Sequence, residues 1–201
     1  GASDTAAEIE RMKGRQFGEL QEWLMVESKA VVDVGASDVA DFFKYMGQFA
    51  GSQEEFDYFL VPTVSEKKQQ ADTINTINTL SALGVPAKRI LVVFNKVQID
   101  DADDLPQTFS AVFGFHKLEK KFTLNPDAVI YSNEVFERLR AFKKNISEVV
   151  KDTTPYREQL KDAKTEEDKE HARRMRSVQR LAKSAWKNLD DVYAALFGKG
   201  K

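Results

Sequence analysis

Apolar positions along the chain alternate between two spacings. Residues 16–26 carry Phe17, Leu20 and Leu24 at helical intervals. Residues 29–34 are instead a short, nearly continuous apolar run that ends at Gly35, the pattern of a buried strand. Ser37 or Asp38 can cap a following helix that carries Val39, Phe42, Phe43, Met46 and Phe49. Residues 56–61 predict a second strand, stopped by Pro62. A helix over residues 66–83 follows, built around Ala71, Ile74, Ile77 and Leu80 and ended by Gly84 and Pro86. Residues 89–94 give the clearest strand of all. Beyond it the pattern predicts a helix near 104–117, a short strand at 128–131, and a helix near 134–150.

Short apolar strands alternating with amphipathic helices imply parallel β-α-β units. Ligands of such sheets sit outside the carboxyl ends of the strands. That rule points to three places: Asp33 to Ser37, Pro62 to Ser65, and Asn95 to Gln98. Residues 151–168 are polar and read as a linker or a short helix. Residues 166–197 read as one long helix, because Met175, Val178, Ala182, Ala185, Leu189, Val192 and Leu196 recur at spacings of three and four. The expected organisation is an α/β domain over 1–150, followed by a charged linker and helix over 151–201.

Composition narrows the class. Of the 201 residues, 42% are hydrophobic and 31% charged, enough to build a core and too apolar for general disorder. There is no cysteine, so disulfides, thiolate metal sites and cysteine nucleophiles are excluded. Two histidines, His116 and His171, cannot make a histidine-rich metal centre. No run approaches the roughly 18–20 apolar residues of a membrane span, and the small, acidic first residues do not read as a signal peptide. The expected compartment is the cytoplasm. Charge is uneven: residues 151–201 hold 13 Lys/Arg against 9 Asp/Glu, a net of +4, while residues 1–150 hold 17 against 23, a net of -6.

Two constellations can carry chemistry. Asp33, just past a predicted buried strand, can hold magnesium through water or orient a nucleophilic water. Gly35 beside it would let backbone approach a phosphate. Equally, Asp33 can simply bond the amides of its own turn. Asn95, in Phe94-Asn95-Lys96-Val97, can pair bidentately with the edge of adenine, or act as a turn asparagine. Guanine readers place an aspartate two residues after that lysine. Here Gln98 stands there, so guanine specificity is not supported. No G-x-x-x-x-G-K-[ST] phosphate loop occurs; Gly14, Gly18 and Gly114 all lack the lysine.

Five blocks in order carry a resemblance: Arg15 to Gln21, Val31 to Ser37, Asp57 to Pro62, Lys67 to Ile74, and Val92 to Val97. Over about residues 8–150 the chain resembles the plasmid-stability StbB family, which is similar to ParA/MinD-type deviant-Walker P-loop ATPases. The resemblance implies a P-loop NTPase-like, mostly parallel sheet flanked by helices, in a plasmid stability or partition protein. It implies ATP and Mg2+ as cofactors, a homodimer, and plasmid DNA or a DNA-binding protein as partner. The family's switch aspartate, catalytic and metal-linked through water, would fall on Asp33, with Gly35 beside the γ-phosphate. The adenine reader would fall on Asn95, and the loop from Pro62 would lie near the nucleotide or the dimer face. Members carry their phosphate loop upstream of where Gly1 stands. The implied fold therefore lacks its first strand, first helix and next strand.

The last helix offers a second lead. At about 100° per residue, Lys169, Arg173, Arg176, Arg180, Lys183 and Lys187 fall within about 80° of arc, opposite the apolar stripe. Such a face can track phosphates, dock an acidic partner, lie on an anionic membrane, or simply be solvated. It supports an alternative function, a non-catalytic DNA- or protein-binding module. Trp186, Tyr193 and Phe197 read as core or dimer contacts rather than base-stacking platforms. His116, with no carboxylate at ligand spacing, reads as structural. The acidic run Asp100, Asp101, Asp103 and Asp104 reads as a solvated turn. A metabolic P-loop enzyme is a third reading, with no residue pattern of its own to support it.

Overall fold

The computed structural model describes residues 16–198; Gly14 and Arg15, named above, lie outside them. Ile90–Val97 forms the central strand, β2, with Ile90 to Phe94 all buried. An apolar run with no polar face must be covered on both sides. Phe59–Thr63 forms β1 and pairs in parallel with β2, Phe59 opposite Ile90 and Thr63 opposite Phe94. Val129–Tyr131 forms β3, parallel to β2 on its other side. Among the described residues the sheet therefore has three strands, in the order β1-β2-β3.

Parallel neighbours need crossovers, and helices provide them. Phe17–Leu24 (α1) and Val39–Gln48 (α2) precede β1. Lys67–Ala82 (α3) leads from β1 to β2, and Leu105–Thr108 (α4) and Ser110–Glu119 (α5) lead from β2 to β3. On one face of the sheet, Val61, Val92 and Phe94 pack against Ile77 and Leu80 of α3 and Val112 of α5. The Phe94 ring lies 4.8 Å from that of Phe109 and 5.6 Å from that of Phe113.

The other face is covered by the long helix, Glu166–Phe197 (α9 in chain order), through Val192 and Leu196 on Val93 and Ala128. Three short helices intervene in the chain: Val135–Phe142 (α6), Ile146–Lys151 (α7) and Tyr156–Asp162 (α8). Val178, Ala182 and Ala185 of α9 pack on Val135 and Leu139 of α6 and on Val149 of α7. Ala172 and Met175 pack on Tyr156 of α8. The predicted α/β class, strands at 89–94 and 128–131, and helix over 166–197 are thus all observed. Thr165 caps α9, accepting the Asp168 N–H at 3.0 Å.

Four expectations are corrected. Residues 29–34 belong to no strand among the described residues. Val32 and Val34 lean onto the Phe17, Phe42 and Met46 cluster, while Val31 is 96% exposed. Their alternation is that of a strand, yet among the described residues no backbone hydrogen bond joins them to a neighbour. Pro62 does not stop β1, which runs through it to Thr63. Proline is tolerated because β1 is the edge strand of the described sheet, where a missing N–H need not break a ladder. The expected helix at 104–117 is broken at Phe109, and that at 134–150 at Lys143 to Asn145. Lys143 takes a left-handed conformation, and Asn145 opens α7 with a capping box closed by Glu148. Finally, α3 buries Gln70, Thr73, Ile77 and Leu80, while Ala71 is exposed. The buried stripe is rotated toward polar residues at its first turns.

Candidate functional site

At the carboxyl end of the sheet, β2 departs from regular geometry. Lys96 has φ 55°, a left-handed conformation that a lysine adopts only at a cost. The pairing of β2 with β3 shifts register between Phe94 and Val97, so Asn95 and Lys96 together oppose the single residue Ile130. This is a β-bulge, a device that re-aims side chains at strand ends. Its effect is visible in the parity of burial. Phe94 and Val97 both face the same core, although they are three residues apart. The Asn95 side-chain oxygen accepts the Lys96 N–H at 3.0 Å and so holds the bulge.

Beside this bulge lies a cleft of about 270 Å³, mostly apolar and lined by Ile99, Ile130, Tyr131, Asn133, Phe136 and Asn188, among others. Its polar groups are partly committed. Asn133 accepts the Val135 N–H at 2.9 Å, capping α6. Asn188 accepts the Tyr131 N–H at 2.9 Å and donates to the Val129 carbonyl at 2.8 Å. The cleft combines two aromatic rings, aliphatic walls and amide groups.

On the opposite face at the same end, two buried polar atoms have no partner: the Thr63 hydroxyl and the Gln70 side-chain oxygen. The Gln70 amide nitrogen is satisfied, donating to the carbonyls of Ser65 at 2.8 Å and Thr108 at 3.0 Å. These residues escaped sequence reasoning. The available signal was a polar residue at helical register with Ile77 and Leu80.

The residues predicted for the site are not brought together. Asp33 is exposed within residues 29–34. Gly35 sits in the turn that follows, its carbonyl accepting the Asp38 N–H at 2.8 Å. Pro62 is exposed on β1 opposite Val93, and Asn95 is half-buried on β2. Among the described residues no group of three or more His, Asp or Glu side chains could hold a metal ion. For the cofactors implied above, the chain's own residues fit unevenly. Neither Asn95 nor Lys96 lines the cleft, and the 201 residues contain no G-x-x-x-x-G-K-[ST] loop for phosphates.

The basic face of α9 is present as predicted. Its helices α6, α7 and α8 cover the other sides, leaving Arg173, Arg180, Lys183 and Lys187 exposed and Lys169 and Arg176 half-buried. Glu166 bridges to Lys169 at 2.7 Å and to Arg173 at 3.5 Å. The hydrogen bond from Lys169 and the charges of Lys169 and Arg173 hold the Glu166 carboxyl below the usual range. Lys187 bridges to Asp191 at 3.1 Å. Among the described residues, Arg176, Arg180 and Lys183 have no ion-pair partner. His116 packs edge-on against Phe122, with ring centres 4.9 Å apart, as a structural histidine would. Tyr193 and Phe197 are not core: both are substantially exposed, and Phe197 meets Tyr58 of the β1 side at 5.0 Å.

No protein family, curated protein or solved structure matches this chain. Among the described residues no helix is long and apolar enough to cross a membrane.

Proposed function

We propose that the chain is the base-binding part of a nucleotide-dependent plasmid-stability protein of the ParA/MinD class. The observation that carries this reading is the strained bulge at Asn95 and Lys96. It stands at the carboxyl end of the central parallel strand, where open α/β sheets bind ligands, and beside an apolar cleft. The order of the StbB-like blocks supports an adenine nucleotide as the ligand class. In this reading Asn95 reads the adenine edge, the cleft holds the ring, and Asp33, Gly35 and Pro62 belong to the switch and dimer side, with magnesium reached through Asp33. The test is ligand-observed NMR with adenosine and guanosine on the 201-residue chain. Adenosine is expected to bind in preference to guanosine, and Asn95→Ala to weaken it by about 5-fold or more, the loss of one bidentate base contact. Unchanged affinity in that variant removes the adenine role.

A second reading, a non-catalytic DNA- or protein-binding module working through α9, is supported by the unpaired cations Arg176, Arg180 and Lys183. Magnesium-ATP separates the two readings. The first requires it, and the second is indifferent to it.

A further inference from the structure

The six cations on the basic face of α9 are not equivalent. Those at the N-terminal end are held by Glu166, which bridges both Lys169 and Arg173. The one at the C-terminal end, Lys187, is held by Asp191. Between them Arg176, Arg180 and Lys183 span about 10 Å of helix axis, at about 1.5 Å per residue. We propose that this central trio docks on the phosphate backbone of duplex DNA, and that Glu166 keeps the N-terminal pair of cations in reserve. The inference rests on the second reading above and gives it a partner, a footprint and a brake.

Charge complementarity selects a polyanion, and the surroundings of the trio select among polyanions. An amphipathic helix binds a membrane with its apolar face. Here that face, Met175, Val178, Ala182 and Ala185, is buried under α6, α7 and α8 and is not free to insert. Single strands need aromatic platforms for their bases, and no aromatic residue shares the arc of the cations. Duplex RNA is recognised largely through its 2′-hydroxyls, and the same arc holds no Ser, Thr, Asn or Gln to meet them. What remains is a cationic ridge against a rod with one negative charge per about 1.7 Å, where every guanidinium finds a phosphate in reach.

The footprint sets the salt dependence. Three phosphate contacts give a slope of log K on log salt of about -2.7, a loss of about 40-fold in affinity between 50 and 200 mM salt. Six contacts would give about -5.4. The experiment is fluorescence anisotropy of a labelled 20-base-pair duplex with the full chain across that salt range, using wild type, Glu166→Gln, and the triple variant Arg176→Gln, Arg180→Gln, Lys183→Gln. Circular dichroism of each variant checks the fold. The expected results are a wild-type slope near -2.7, loss of binding in the triple variant, and a slope near about -4.5 in Glu166→Gln, as two further cations are freed. A wild-type slope near -5.4, or an unchanged slope in Glu166→Gln, overturns the footprint and the brake while leaving DNA binding itself in place. No binding by wild type, or equal binding by a folded triple variant, overturns the second reading as well. Tighter binding to polyglutamate, to phosphatidylserine vesicles or to duplex RNA than to duplex DNA overturns the choice of partner.

Discussion

The two edges of the sheet are finished in opposite ways. At the β3 edge, α9 lays one asparagine along the strand, and the Asn188 amide takes the place of a neighbouring peptide group. It accepts from Tyr131 and donates to Val129, while Asn125 reaches back to the Ala195 carbonyl at 2.7 Å. At the β1 edge nothing comparable occurs among the described residues. Leu60 is 53% exposed, Pro62 is exposed, and residues 29–34, whose Val32 and Val34 reach the cluster that Phe59 also meets, make no backbone hydrogen bond to another described segment. A strand edge is thus closed by any correctly spaced donor and acceptor, and a helix side chain serves. Where no such pair exists, the edge keeps its capacity to recruit another strand.

The comparison can be broken first at the closed edge. Asn188→Ala leaves a strand N–H and a carbonyl unpaired, and the expected loss of stability is about 1–3 kcal/mol in urea unfolding. Faster amide exchange at Tyr131 should accompany it. Unchanged stability would mean that water replaces the asparagine and that the edge was never sealed by it.

A smaller effect is expected in the turn that anchors α8 to α9. Hydrogen bonds from Thr154, and then from Tyr156 at 2.8 Å, hold the Asp152 carboxyl below its usual range against the opposing effect of burial. The Asp152 carbonyl also accepts from Gln179 of α9 at 2.8 Å. A carboxyl depressed in the folded state contributes stability above the ordinary carboxylate range, and that contribution is lost as pH falls through the folded-state value. Urea midpoints between pH 7 and pH 3 should therefore fall less steeply in Asp152→Asn than in wild type. Parallel curves would remove Asp152 from the acid response.

The smallest effect is expected at the open edge. Leu60→Lys should change stability by no more than about 0.5 kcal/mol, because the side chain is already half in water. It should instead lower self-association at high concentration, read by light scattering, since a charged edge resists pairing. A large loss of stability would show that the edge is covered in solution.

Residues with a strong period were legible, and residues defined by a partner were not. The α9 stripe predicts its helix almost to the residue, because burial on several neighbours at once demands the 3.6 repeat. The run Ile90 to Phe94 predicts a central strand for a similar reason. Residues 29–34 carry the same kind of apolar pattern and still form no strand. Alternation reports which side chains are buried, not whether a backbone neighbour exists. Pro62 misled because a proline ends a central strand but not an edge one, and edge position is a property of the whole sheet. The bulge at Lys96 leaves no trace in the sequence, since nothing in Asn-Lys demands a left-handed lysine. Of the predicted site, only Asn95 stands next to the features that define the carboxyl-end cleft. Asp33 could not be placed from sequence, because its position depends on a strand that is not formed.

Asn188 also bears on the order in which the molecule is made. It lies 57 residues beyond Tyr131 and 59 beyond Val129. Bringing such distant groups together costs chain entropy before any bond rewards it, so contacts of this kind form late. β1 and β2 can pair once α3 has folded back between them. β3, only three residues long, waits for a helix that is synthesised well after it. Until α9 arrives, the third strand has one neighbour among the described residues and an open flank.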